Sequence, residues 1–176
     1  MSSETDEPEK KKDPVASLAG QIRHLGNGER ANLRRLDLTR SATADGTIYG
    51  MLARAGVDFS RMPDDEMDAW RMTALAAALM SGSGGGGAHA PNRSMGHALQ
   101  RAGYSEARLL QLAGQPSRER LTRAVRLLSS KGDGPYDLRT VRQLADPDAQ
   151  IRATATRMLV RDYFAAATRT STSKGE

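Results

Sequence analysis

Apolar side chains recur every three or four residues along most of the chain, the period of helices that each bury one face. "VASLAGQIRHL" places Val15, Leu18, Ile22 and Leu25 on one side. In "NGERANLRRLDL", Asn27 and Gly28 break the chain before Leu33 and Leu36 resume the pattern. "ADGTIYGMLARAG" groups Ile48, Met51, Leu52 and Ala55 and stops at Gly56, a residue suited to the left-handed backbone of a helix end. "PDDEMDAWRMTALAAALMS" is the clearest helix. Its acidic start, Asp64, Asp65, Glu66 and Asp68, suits the positive end of the dipole. Its broad apolar surface, Met67, Trp70, Ala74, Leu75, Ala78 and Leu79, predicts burial on most sides.

Five more helical patterns follow. "SMGHALQRAG" carries Met95, Leu99 and Ala102 and stops at Gly103. "SEARLLQLAG" starts on a Ser105 cap and stops at Gly114. Leu121, Ala124, Val125 and Leu128 form the stripe of "PSRERLTRAVRLLSSKGDG", and Leu138, Val141 and Leu144 that of "YDLRTVRQLAD". "PDAQIRATATRMLVRDYFAAA" closes the fold through Ile151, Ala155, Met158, Leu159 and Tyr163. No period-two alternation and no fixed repeat accompany these patterns, so the expected fold is all-α, two small helical lobes joined by a Gly-rich linker. The lobes are expected over 14–81 and 94–167, the linker over 82–93, and disordered charged or polar tails over 1–13 and 168–176.

The linker contains Gly82-x-Gly84-x-x-Gly87, the spacing of a dinucleotide loop. Such a loop has to follow a strand and open a helix. This one follows a long helix, and Pro91 stands where a helix would begin, so the match is accidental.

Composition narrows the chemistry. With no cysteine, disulfides, thiolate metal sites and cysteine nucleophiles are excluded. No apolar run is long enough to span a bilayer, which points to a soluble, cytoplasmic chain without a membrane partner. His24, His89 and His97 lack metal-ligand spacing, and the serines lack a nucleophile-elbow context; no catalytic residue, metal or cofactor is expected.

Charge is distributed unevenly. Residues 1–92 hold 11 basic and 13 acidic side chains, whereas 93–169 hold 14 basic and 7 acidic. The second half therefore carries a positive field that attracts a polyanion without regard to sequence. Arg120, Arg123 and Arg126 form a stripe beside the Leu121/Val125/Leu128 face. Arg139 and Arg142 lie opposite Val141 and Leu144, Arg157 and Arg161 are four apart, and Arg34 and Arg35 are adjacent in the first half. The planar guanidinium fork matches phosphate. About a third of these arginines are expected to pair with carboxylates instead, as Glu119 with Arg123 and Asp148 with Arg152 are placed to do. With two Phe, one Trp and four Tyr, base stacking is disfavoured and backbone tracking favoured. A helical protein–protein scaffold, and a DNA-binding regulator with Ser105 to Leu128 as a helix-turn-helix, remain open alternatives.

The order of "GNGERANLRRLD", "TIYGML", "SMGHALQRAGYSEARLLQLA", "LTRAVRLLSSKGDGPYDLRTVRQLADP" and "RMLVRDYF" resembles the CasB small-subunit family of type I-E CRISPR Cascade, over about Leu18 to Phe164. The resemblance implies a non-catalytic, all-helical, two-lobed subunit that pairs head to tail with its own kind among other Cascade subunits. It implies contacts with the guide RNA–target DNA hybrid and with the displaced strand. Matched by motif, nucleic-acid contacts fall on Arg34 and Arg35, on Arg108 of the Ser-Glu-x-Arg run, on Arg123 and Arg126, and more loosely on Arg142 and Arg152. His97 stands where the family often has arginine, and a tryptophan often found after the Asp-Leu region is missing from "DLRTVRQLADP".

Overall fold

A computed structural model describes residues 13–36, 42–82, 87–131 and 134–172, without the side chains of 42, 43 and 170–172. Among these residues every regular element is an α-helix: α1 (Pro14–Ile22), α2 (Asn27–Arg34), α3 (Ala42–Arg54), α4 (Asp64–Met80), α5 (Met95–Arg101), α6 (Glu106–Gly114), α7 (Arg118–Ser130), α8 (Leu138–Leu144) and α9 (Ala149–Thr172). The all-α expectation holds.

Local chemistry sets the boundaries. The Asp13 carboxylate accepts from the Val15 N–H and starts α1. Ser94, Ser105, Ser117 and Asp137 do the same for α5, α6, α7 and α8. Gly56 and Gly103 follow α3 and α5 with φ of 74° and 75°, the conformation their stop positions require. Asn27 and Gly28, expected as a break, instead form the first turn of α2. Glu29 accepts from the Gly26 N–H at 3.0 Å, so the break falls one residue earlier.

α4 is the central element. Its residues from Met67 to Met80 are nearly all buried, and it packs against α1, α2, α3, α7 and α8. One continuous core runs from Val15 through Leu75 and Leu99 to Tyr163, with side chains from both halves of the chain. An ion-pair chain adds a polar strap: Arg71 of α4 binds Asp45 of α3 (2.5 Å) and Asp68 (2.7 Å), and Asp68 also binds Arg118 of α7. These carboxylates hold the Arg71 guanidinium well above its ordinary range.

Of the stretch expected as a linker, residues 83–86 lie outside the described residues. Its second part is tied down. Ala88 is buried, the Ala90 N–H donates to the Tyr136 carbonyl (3.1 Å), and the Asp137 N–H donates to the Arg93 carbonyl (2.8 Å). His89 Nδ1 accepts from the Leu138 N–H at 3.1 Å, so this histidine helps to satisfy the start of α8. Among the described residues the next helix begins only at Met95.

α5 and α9 cross at unusually close range. A Cβ on Gly96 would lie 2.3 Å from the Leu159 carbonyl oxygen and 2.9 Å from the Tyr163 nitrogen. The "MGHAL" motif therefore supplies a bare backbone where two helices touch. α9 buries Ala155, Leu159, Tyr163 and Ala166, a stripe at the helical period. Ile151 and Met158, expected inside, are 40% and 47% exposed, because α9 turns its Leu159–Tyr163 face onto Gly96 of α5. α9 also continues to Thr172, past the position where a tail was expected to begin; of the first tail, expected over 1–13, Asp13 instead caps α1 and 1–12 lie outside the described residues.

Candidate nucleic-acid interface

The arginines read from the sequence meet four different fates. Arg34 is half-buried: its Nε donates to the Ala78 carbonyl at 2.9 Å, and its guanidinium lies over Gly82, where a Cβ would come within 2.7 Å. It thus caps the C-terminal end of α4, where a cation is favoured by the dipole. Arg142 is largely buried. It binds Asp146 (2.6 Å) and Glu66 (3.2 Å), and stands 4.9 Å over the Trp70 ring. Both act inside the fold.

A second group is bound to nearby chain. Arg139 holds Asp137 through two nitrogens, at 2.9 and 2.8 Å. Arg152 does not pair with Asp148: its Nη1 donates to the carbonyls of Asp146 (2.5 Å) and Pro147 (2.6 Å), while Asp148 accepts from the Gln150 N–H and caps α9. The i,i+4 spacing was right, but the N-cap position gave the carboxylate a backbone donor first. The third group is exposed and separate. Arg35 ends α2 with no side-chain partner among the described residues. Arg157 donates to the Thr154 hydroxyl, at 3.1 Å.

The fourth group is assembled by α6 and α7. The Schellman-type bond from the Tyr104 N–H to the Leu99 carbonyl (3.0 Å) turns the chain at Gly103, and Ser105 then starts α6 by accepting from the Arg108 N–H. That places the Arg108 side chain on the outer surface while Leu109 and Leu112 go inward. On α7, Leu121, Ala124, Val125 and Leu128 are buried, which turns Arg123 and Arg126 outward. Between the helices lies an open groove of about 420 Å³ lined by Tyr104, Arg108, Gln111, Arg120, Arg123 and Leu127.

Arg120 is fixed in this groove: its Nη1 donates to the Gln111 carbonyl (3.3 Å), the Gln115 carbonyl (3.0 Å) and Gln115 Oε1 (2.9 Å), covering the end of α6. Arg123 is exposed and pairs with Glu119, as the spacing predicted. Arg108 and Arg126 are exposed, with no side-chain partner among the described residues. Burial pushes the Tyr104 phenol above its ordinary 10.0, while the guanidiniums of Arg108, Arg123 and Arg120 pull it back. Their combined field therefore reaches the groove floor. Tyr104 and Gln111 escaped the sequence reading; the Gly103 stop followed at once by the Ser105 cap was the signal that Tyr104 sits at a helix junction.

Chemically, the groove presents planar donors, one of them fixed in advance, to an oxyanion-bearing ligand. Among the described residues, no helix is long and apolar enough to cross a membrane, and no group of three or more histidine or acidic side chains is placed to hold a metal ion.

A family model described as CRISPR-associated protein Cse2 matches residues 29–164. No curated protein and no solved structure matches the chain. The matched region takes in the α6–α7 groove, the Arg34 cap and the Gly96 crossing, and it agrees with the CasB resemblance. The chain belongs to the Cse2 (CasB) family, the small subunit of type I-E Cascade in CRISPR defence.

Proposed function

We propose that this chain is a non-catalytic, cytoplasmic Cascade subunit that holds the guide RNA–target DNA hybrid and the displaced DNA strand by arginine–phosphate contacts. The observation that carries this reading is the α6–α7 surface, where Arg108, Arg120 and Arg123 line one groove and Arg126 stands on the next turn. Phosphate contacts position a strand without reading its bases, and in an RNA-guided complex base pairing does the reading. Arg35 and Arg157 are exposed enough to add contacts. Arg34, Arg139, Arg142 and Arg152, which bind the chain's own acceptors, support the fold that presents the others. Other Cascade subunits, and a second copy arranged head to tail, are the protein partners of this reading. The exposed Ile151 and Met158 on α9 give them apolar surface.

The test is target binding by the assembled complex carrying Arg108→Gln and Arg126→Gln together. The expected result is a loss of about tenfold or more in affinity near 50 mM salt, and a log–log salt slope shallower by about one unit per arginine. Binding and slope equal to those of the unaltered complex would overturn the proposal.

A further inference from the structure

The groove cations differ in what holds them. Arg120 is tied to neutral acceptors through Nη1, and its Nε and Nη2 have no partner among the described residues. Arg108 has no side-chain partner there either. Of the three, Arg123 alone is held by a carboxylate, that of Glu119 one turn earlier on α7. Both members of the pair are open to solvent, with side chains 72% and 73% exposed. Such a pair is weak and exchanges readily. Glu119 itself belongs to the first turn of α7, where the helix dipole accommodates a carboxylate whether or not Arg123 is bound.

A carboxylate and a phosphodiester offer the guanidinium fork the same thing: two oxygens sharing one negative charge. Both cannot occupy one edge of Arg123. We infer that Glu119 is a built-in competitor for the phosphate backbone, a tethered counter-ion that occupies Arg123 in the empty groove and is displaced when a strand arrives. The inference rests on the nucleic-acid reading above and adds a regulation to it. A strand held in place by the rest of the complex displaces Glu119; a strand that meets the groove by chance is bound less well than the bare arginines would bind it. The groove is thereby selective for strands delivered in register.

The experiment measures binding of matched double-stranded target DNA, and of an unrelated duplex, by complexes assembled with the full-length chain. The variants are Glu119→Gln, Glu119→Asp, Arg123→Gln and the Glu119→Gln/Arg123→Gln pair. Glu119→Gln is expected to tighten the unrelated duplex about two- to fivefold at low salt, and the matched target by less. Glu119→Asp keeps the charge but shortens the reach to Arg123, so it retains a clear part of that gain. Beside Arg123→Gln, the gain from Glu119→Gln disappears. No tightening with Glu119→Gln overturns the inference. So does an equal gain beside Arg123→Gln, or a gain with Glu119→Gln that Glu119→Asp lacks, because either result reports only one fewer negative charge. If the Arg108/Arg126 variant binds normally, the nucleic-acid reading has failed; if that variant weakens binding while Glu119 gives one of these overturning results, only the competitor role has failed.

Discussion

Arg142 and Arg126 illustrate how far two arginines on the same kind of helix face can diverge. Arg142 reaches back 76 positions to Glu66 and lies over Trp70, whereas Arg126 points into solvent. Truncating the charge with Arg142→Met leaves Asp146, whose side chain is 14% exposed, without its cation. A loss of about 2 kcal/mol in chemical denaturation is expected, since removing one member of a partly buried pair strands the other. His89 makes a second residue-scale prediction. Burial pushes its imidazole below the ordinary 6.5, with Asp137 and Asp13 pulling upward against it and Arg139 downward. Its Nδ1 accepts the Leu138 N–H, which a doubly protonated ring cannot do. The unfolded chain thus takes up this proton near pH 6.5 and the folded chain only at lower pH. Stability is full above 6.5 and falls as the pH drops below it, levelling off once the folded ring protonates too. Denaturation midpoints followed over that range should decline, and His89→Gln should remove part of the decline.

Helices differ in how much of their behaviour is local, and the glycines make the contrast measurable. Gly96→Ala puts a methyl group into the backbone of α9, so a destabilisation of about 2–3 kcal/mol is expected from thermal melts. Gly20 lies within α1 with nothing within 4 Å of its would-be Cβ, and Gly20→Ala should stabilise by about 0.5–1 kcal/mol. The same locality explains what could be read from the chain in advance. Stripes such as Leu121/Val125/Leu128 and stops such as Gly56 and Gly103 depend on residues a turn or two away, and they stand where the pattern put them. α9 offered two stripes. All five of Ile151, Ala155, Met158, Leu159 and Tyr163 were expected inside; the crossing at Gly96, distant in sequence, kept Ala155, Leu159 and Tyr163 there and left Ile151 and Met158 outside. Arginine destinations were the least legible feature. A long side chain finds acceptors such as the Ala78 carbonyl, 44 positions from Arg34, which no local period encodes.

For the whole molecule, the positive balance of the second half survives these internal pairings, but its useful part is concentrated. The counting of charges alone spreads cations over every basic helix; the geometry sets Arg108, Arg120 and Arg123 around one groove between α6 and α7. Salt dependence separates the two pictures. The Arg142→Met complex should keep the slope of the unaltered complex, because that guanidinium is occupied, whereas the Arg108/Arg126 variant should not.

The Tyr163 hydroxyl of α9 donates to the Tyr104 carbonyl, directly behind the groove floor, and α9 is pressed backbone to backbone on α5 at Gly96. Side-chain rotation cannot absorb a tilt at such a contact. A neighbour seated on the long outer face of α9 would therefore move the guanidiniums as well, the way a handle aims the jaw it is welded to.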